Sequence, residues 1–196
     1  MNEKFFDLKK EKQDRMINAA LKVFALHGYR HACTDDIVKE AAISKGLLFH
    51  YFGSKLGVYA FVYDYSVRYL LLELSTAVDA KETDLFTLIR QVECGKMHAM
   101  CGYPYLQPFL NRAQAENVSE ALLAVEERKQ QLEDYLESVF ARADLGKYAS
   151  AEDAVKLRKM LELTIKGLMN ERILEDAFQP EMLYEEITEY LNLSRR

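Results

Sequence analysis

Apolar residues recur along the chain at the spacing of helices. Between Asp14 and Leu26 they stand three or four positions apart, which places them on one face of a helix, and Gly28 follows as a stop signal. The residues of this face are Ile17, Ala20, Leu21 and Phe24. The pattern predicts an amphipathic helix that covers the elements after it.

Two short helices joined by a turn are predicted next. Thr34 is a good N-cap residue, and the acidic pair Asp35 and Asp36 suits the positive end of a helix dipole. Ser44 offers a second N-cap ten residues later, so a turn of about three or four residues must join the two helices. The stretch from Thr34 to Lys55 therefore has helix-turn-helix spacing.

The second of these helices, from Lys45 to about Phe52, has an unusual outer face. Leu48 and Phe52 can point inward, which leaves three rings, a lysine and a glycine toward solvent: Phe49, His50, Tyr51, Lys45 and Gly46. A helix N-terminus with free backbone N–H groups and a cation suits a phosphate or the edge of a base. We interpret it as a recognition helix. Ser54 then caps the following helix, with Lys55 beside it.

The rest of the chain alternates helical patterns with Gly, Pro and polar breaks. Further helices are predicted from Ser54 to Thr76, Asp84 to Met100, Tyr105 to Ala115, Asn117 to Arg142, Ala154 to Phe178, and from Pro180 onward. We expect an all-α fold of about nine helices, with a three-helix N-terminal helix-turn-helix domain at 1–53. Residues 54–196 then form a larger helical bundle for ligand binding and dimerisation.

Charge is distributed unevenly along the 196 residues. The net charge of −5 opposes nucleic-acid binding, because affinity for DNA depends on neutralising phosphates. Through residue 60, however, ten Lys and Arg stand against seven Asp and Glu, and the remainder has sixteen against twenty-four. A basic front and an acidic body favour a DNA-binding head on a separate helical body. No segment has the composition of a signal peptide or a membrane span, so we expect a cytoplasmic protein.

The stretch from about Asp14 to Tyr63 resembles the DNA-binding domain of TetR-family transcriptional repressors. The residues at the family's spacing are the His27-Gly28-Tyr29 turn, Thr34, Ile37, Ala41, Ser44, Lys45, Gly46, Phe52, Ser54 and Lys55. The resemblance implies a homodimeric, sequence-specific regulator that binds double-stranded DNA. It also implies a repressor that leaves a pseudo-palindromic operator when a small molecule binds the C-terminal domain.

The resemblance also assigns roles to individual residues. The positions that usually touch phosphates match Thr34, Ser44, Phe49, Tyr51 and Lys55, and those that approach bases or the adjacent backbone match Lys45, Gly46 and His50. The chain departs from the family's pattern at Ala42, Leu47 and Phe49. Ala42 stands where glycine is usual, so the turn must change its conformation or hold an alanine at positive φ, at a cost of about 1 kcal/mol. Phe49 stands where tyrosine is common and lacks its hydroxyl.

The predicted C-terminal helices suggest how two subunits meet. Apolar residues between Ala154 and Phe178 cover more than one stripe, so this helix needs two partners, one of which we expect to be the same helix of a second subunit. In the resembled family the last two helices form a four-helix dimer interface. We assign to it Leu157, Leu161, Leu168, Ile187 and Leu191.

The predicted effector site has apolar and aromatic walls. Its expected residues are Tyr63, Val67, Met97, His98, Cys101, Tyr103 and Phe109, together with the inner face of the 118–142 helix. We expect a small-molecule effector and no cofactor.

Other function classes are less consistent with the sequence. None of the four histidines follows a glutamate at Glu-x-x-His spacing, and no P-loop, nucleophile elbow or Rossmann glycine pattern occurs, so we expect no enzyme. A helical adaptor that binds protein through its helix-turn-helix remains an alternative. So does a metal or redox sensor, since Cys94, Met97, His98 and Cys101 share one helix face, although their spacing matches no common zinc site.

Overall fold

A computed structural model of the protein describes residues 3–148, 150–174 and 178–195. Over this part of the chain it contains nine α-helices, two short 3₁₀ turns and no strand, which confirms the all-α fold. The helices are α1 (Lys10–His31), α2 (Thr34–Glu40), α3 (Lys45–Phe52), α4 (Lys55–Ala77), α5 (Leu85–Gly102), α6 (Leu106–Gln114), α7 (Ser119–Phe140), α8 (Ala151–Arg172) and α9 (Pro180–Ser194). None of the described helices is both long and apolar enough to cross a bilayer.

Most helix boundaries agree with the sequence prediction to within a few residues. α3 has the predicted limits, and α9 begins with Pro180 at its first turn. α1 begins at Lys10 rather than Asp14, and an ion pair of 2.7 Å joins these two residues across the added turn. α8 ends at Arg172, whereas we predicted a helix to Phe178; residues 175–177 of that prediction lie outside the described part.

The chain forms two compact units. The first contains the described residues up to Arg68 together with Tyr105–Gln130, and the second contains Tyr69–Pro104 and the described residues from Gln131 onward. This division differs from the predicted domains 1–53 and 54–196, because α6 packs along α1. α4 and α7 each contribute residues to both units.

Aromatic rings form the centre of the first unit. Tyr59 of α4 lies edge-on to Phe24 and Tyr29 of α1, with ring centroids 5.1 and 5.0 Å apart, and to Phe109 of α6 at 5.5 Å. Phe24, Tyr59 and Phe109 are almost completely buried. These edge-to-face contacts add to the burial of large apolar area and hold α1, α4 and α6 together.

The second unit has its own apolar core, formed by α5, α8 and α9. Phe86 and Ile89 of α5 pack in one buried cluster with Ile165 of α8 and Leu183 of α9. At the edge of this core the Arg172 guanidinium donates two hydrogen bonds to the Glu186 carboxylate, of 2.8 and 3.0 Å. This paired contact joins the end of α8 to α9.

The residues predicted for the dimer interface lie in this core. Leu161, Leu168, Ile187 and Leu191 are buried within the unit, and Leu157 packs against the same cluster. The stripe predicted for the interface is therefore the one that α8 and α9 bury within the unit. The large apolar side chains that α8 and α9 leave exposed are Val155, Met160, Leu163, Met182, Tyr190 and Leu193.

The turn between α2 and α3 keeps a left-handed residue although it lacks glycine. Ala42 has a φ of 51°. The N–H of Ile43 donates to the Val38 carbonyl at 3.0 Å, and that of Ala42 donates to the Lys39 carbonyl at 3.2 Å. This is the hydrogen-bond pattern of a Schellman C-cap, whose left-handed position normally holds glycine. The sequence allowed either a changed turn or an alanine at positive φ, and the chain adopts the second, strained conformation.

We predict that Ala42→Gly stabilises the protein by about 1 kcal/mol, because glycine adopts positive φ without steric cost and the exposed Ala42 methyl contributes little burial. Ala41→Gly is the matched control, since Ala41 is buried at a right-handed φ of −76° and should lose stability. The free energy of unfolding from urea titration measures both changes. A loss of stability in Ala42→Gly would show that the turn is not strained.

Candidate nucleic-acid interface

The recognition helix α3 is fixed at both ends by local signals. The Ser44 hydroxyl accepts a hydrogen bond from the Leu47 N–H at 3.2 Å, which confirms the predicted N-cap. Gly53 ends the helix at a φ of 73°, and its N–H donates to the Phe49 carbonyl at 2.9 Å. Between the caps, Leu48 is buried and attaches the helix to the unit. An eight-residue helix is too short to persist alone, so these contacts determine its position.

The outer face of α3 is open at its N-terminus. Lys45, Gly46 and His50 are exposed, whereas Phe49 and Tyr51 are partly buried. A Cβ added to Gly46 would meet no described atom within 4 Å, so there is open space beside Gly46 in the first turn of the helix. The structure therefore brings the three predicted base-facing residues together on one accessible surface.

Lys45 has an exchangeable partner in the free protein. Its ammonium lies 2.8 Å from the Asp35 carboxylate of α2, and both side chains are more than half exposed. The hydrogen bond from Lys45 to Asp35 raises the pKa of the ammonium above its ordinary value, so the group remains charged at neutral pH. Exposed ion pairs are weak, and an approaching phosphate or guanine can replace the carboxylate.

Thr34 and Ser54 were both predicted to be N-cap residues, but only Ser54 is one. The predicted cap Thr34 is instead the first residue of α2, whose N-cap is Cys33 with no side-chain cap bond. Ser54 behaves as predicted, because its hydroxyl accepts from the Gly57 N–H at 3.0 Å. A Cβ on Gly57 would lie 1.9 Å from the Phe52 carbonyl oxygen, so the chain can turn from α3 into α4 here only with glycine.

Comparison with known proteins supports the interpretation of this surface. Residues 16–60 match the family model described as bacterial regulatory proteins, tetR family. A 78-residue stretch is 37% identical to the uncharacterized HTH-type transcriptional regulator YuxN of Bacillus subtilis (strain 168), covering 38% of this chain and 26% of that protein. Residues 16–60 are therefore similar to the DNA-binding region of TetR-family regulators, and the chain spans about a quarter of the length of the curated relative it matches.

Solved structures show the same fold over nearly the whole of this chain. PfmR of Thermus thermophilus covers 92% of this chain with a TM-score of 0.62 at 18% identity, and 96% of PfmR is covered. The fatty acid degradation regulator FadR of Bacillus halodurans covers 91%, with a TM-score of 0.61 at 20% identity and 96% of its own chain covered. A TetR-family regulator of Chloroflexus aurantiacus covers all of this chain and 96% of its own, with a TM-score of 0.61 at 21% identity. At these identities the likeness shows the fold.

Lys55 has an intramolecular role that the sequence did not show. Its ammonium donates to the carbonyls of Tyr29 at 2.8 Å and Ala32 at 3.2 Å, and lies 3.4 Å from that of Arg30. It also lies 4.5 Å from the centroid of the Tyr29 ring. These contacts use the three N–H groups of the ammonium. Its assignment to DNA phosphates stays a prediction, but its evident function is to hold the end of α1.

The end of α1 is also joined to the segment before α7. The Glu116 carboxylate accepts hydrogen bonds from the backbone N–H groups of Tyr29 at 2.9 Å, Asn117 at 2.9 Å and Val118 at 3.1 Å. Burial alone would raise the pKa of Glu116, but these N–H groups reverse the effect and leave it lowered. The Tyr29 hydroxyl donates to Glu120 at 2.5 Å, and burial followed by this carboxylate raises the pKa of Tyr29 to about 12.

Phe5 ties the N-terminal segment to the recognition helix. Its ring is buried and lies 5.7 Å from Tyr51, 5.3 Å from Phe52 and 4.9 Å from Phe61, measured between centroids. This contact was not predicted from the sequence. The available signal was the Phe5-Phe6 pair, an apolar step within an otherwise charged N-terminal segment.

The predicted effector residues are divided between the two units. Tyr63, Val67 and Phe109 are buried in the first, and Tyr103 is buried in the second. The second unit also contains Met97, which is partly buried, and His98 and Cys101, which are exposed. The effector site stays a prediction. Among the described residues no three His, Cys, Asp or Glu side chains are arranged to hold a metal ion.

A cleft of about 480 Å³ opens in the first unit between α3, α4 and α7. Its walls include Tyr63 and part of the 118–142 helix, both of which were predicted to line the effector site. Tyr51, Phe52 and Phe61 also contribute to the walls. Asp64 lies on the same wall and pairs with Arg68 at 3.0 Å and with Arg128. The cleft therefore combines aromatic walls with two arginines around one carboxylate, beside the C-terminal end of the recognition helix.

We predict that Lys55→Met lowers the free energy of unfolding by about 1–3 kcal/mol, because it leaves carbonyls at the end of α1 without their charged donor. Lys45→Met is the matched control, and its exposed ion pair with Asp35 should contribute little. Urea titration measures both variants without DNA. Equal stability of the two variants would exclude the structural role of Lys55.

Proposed function

We propose that the protein is a sequence-specific DNA-binding transcriptional regulator that inserts α3 into the major groove. The observation that supports this most directly is the open N-terminal surface of α3, where Lys45, Gly46 and His50 are exposed on a helix fixed at both ends. Lysine and histidine donate to base-edge acceptors, and Gly46 allows close approach of the backbone. The matched family model covers this region.

The charge of the N-terminal region supports the same function. Residues 1–60 have three more basic than acidic residues, although the whole chain has a net charge of −5. Contacts to phosphates set the register of the protein, and the base-facing residues then read sequence. Ser44, at the N-cap of α3, and Thr34, in the first turn of α2, are placed where backbone N–H groups also point outward.

A homodimer would give the regulator two recognition helices. The exposed apolar side chains of α8 and α9 are suitable interface residues, namely Val155, Met160, Leu163, Met182, Tyr190 and Leu193. Gly167 lies on α8 with open space where a Cβ would be, which permits close approach of a second helix. A two-fold dimer reads a pseudo-palindrome whose half-sites are roughly 34–36 Å apart.

Repression relieved by a small molecule is the further part of the proposal. The cleft of the first unit is a candidate effector site, because its wall includes Tyr51 and Phe52 of the recognition helix. A ligand there would contact α3, α4 and α7 together. It relieves repression only if it binds better to a conformation that does not fit the operator.

We predict that Lys45→Ala and His50→Ala each change the preferred DNA sequence and weaken binding to the wild-type site roughly tenfold, since both remove a donor from the base-facing surface. Lys159→Ala is the control, because Lys159 is an exposed lysine of α8. Selection from a random duplex library followed by gel-shift titration at several salt concentrations measures both effects. No retarded duplex at low salt would exclude the proposed function.

We predict that Leu163→Asp separates the dimer, because it buries a charge in the proposed apolar interface. Leu123→Asp is the matched control, since Leu123 is also an exposed leucine, on α7. Sedimentation equilibrium should show two chains for the wild type and for Leu123→Asp, and one chain for Leu163→Asp. An unchanged mass in Leu163→Asp would place the interface elsewhere.

A further inference from the structure

Four side chains of the second unit form a cluster around one thiol. Cys94 and His98 lie one turn apart on α5, with 3.8 Å between Sγ and Nε2. The other ring nitrogen, Nδ1, lies 4.0 Å from Oε2 of Glu73 on α4. The Tyr184 hydroxyl of α9 is near enough for Cys94 to contribute, after burial, to raising the pKa of that phenol. We call Glu73, Cys94, His98 and Tyr184 the thiol cluster.

The order of groups in the thiol cluster suits a cysteine nucleophile. The Glu73 carboxylate favours a proton on Nδ1, which leaves Nε2 to accept the proton of the thiol. An imidazole oriented by a carboxylate is the arrangement that activates thiols and hydroxyls, and such contacts are often longer before a substrate binds. The Tyr184 hydroxyl can donate to the resulting thiolate.

Cys101 shows the contrasting environment seven residues further along α5. Its thiol donates to the Glu181 carboxylate of α9 at 3.3 Å. Burial and this negative neighbour raise the pKa of Cys101 to about 11, so it remains a protonated, weakly nucleophilic thiol. Cys33, in the first unit, lies 3.9 Å from the Asp35 carboxylate. Of the three thiols, only that of Cys94 adjoins an imidazole that can take its proton.

We propose that Cys94 is a nucleophilic thiol that adds to small electrophiles of the α,β-unsaturated carbonyl class. Cys94 is half-buried and the His98 side chain is 47% exposed, so a small molecule can reach the pair from solvent. His98 Nε2 takes the thiol proton, and the sulfur electron pair forms a bond to the β-carbon. The π electrons of the carbon–carbon double bond move to the enolate. The α-carbon of the enolate then takes the proton back from His98, which requires no oxidant or further reactant.

The adduct would alter the contact between α5 and α9. Tyr184, which contacts the thiol, lies on the helix that also exposes Met182 and Tyr190. A group bonded to Sγ occupies the space between these helices and must displace the Tyr184 side chain. If the protein binds DNA as proposed, addition at Cys94 is therefore expected to weaken DNA binding by displacing α9.

The test uses N-ethylmaleimide as the electrophile on the full-length protein, with peptide mass spectrometry to time the modification of each cysteine. Cys94 should react about tenfold or more faster than Cys101. His98→Gln should slow Cys94 about tenfold, while the rate at the exposed Cys33 stays unchanged. A circular dichroism spectrum like that of the wild type shows that the variant is folded. Glu73→Gln should slow Cys94 by a smaller factor, since it acts only through the imidazole.

Two results would overturn the proposal. One is a Cys94 rate no higher than that of Cys101, and the other is a Cys94 rate that His98→Gln and His98→Asn both leave unchanged. The effect on DNA is measured separately, by gel shift of Cys33→Ser protein with and without Cys94→Ser. Complete addition at Cys94 with unaltered DNA affinity would remove the link to α9, whereas absence of any DNA binding before treatment would instead contradict the proposed function.

Discussion

The position of the recognition helix depends on how the end of α1 is held. Gly28, with a φ of 68°, turns the chain so that the carbonyls of the following residues face the Lys55 ammonium at the start of α4. Tyr29 uses its backbone N–H, its hydroxyl and its ring in separate contacts, to Glu116, Glu120 and Tyr59. A charged donor on helix-end carbonyls is worth more than a neutral hydrogen bond. Because α2 and α3 are short, they take their orientation from this fixed neighbour.

Close packing adds a second constraint where α3 passes into α4. Gly57 leaves room for the Phe52 carbonyl, and Phe5 covers the rings of Tyr51 and Phe52 from the N-terminal segment. The recognition helix thus has a rigid C-terminal end and an open N-terminal end. This asymmetry fits a helix that presents its first turn to a ligand and uses its last turn for attachment.

The sequence was informative where the determining interactions are local. Ser44 and Gly53 define α3 within ten residues, and the positive φ of Ala42 was one of two conformations that the missing glycine allowed. The residues on the outer face of α3 follow from the helical repeat alone. The role of Lys55 could not be predicted in this way. A lysine beside a helix N-terminus can bind either a phosphate or nearby carbonyls, and only the fold shows that the carbonyls of α1 lie beside it. Glu116 gave no local signal, since its partner Tyr29 is 87 residues away.

When a helix has two apolar stripes, the sequence alone does not show which stripe is buried. On α8 the periodicity showed that both existed, but only the packing of α5 and α9 decides that Leu161 is buried and Leu163 exposed. The same limit applies to the thiols of α5. Cys94 and Cys101 share a face by spacing, yet His98 beside Cys94 adjoins Glu73 of α4, whereas Cys101 adjoins Glu181 of α9. The surroundings of each thiol therefore depend on residues of other helices. A pattern within one helix fixes which residues are neighbours, whereas the reactivity of each depends on charges that the fold brings to it.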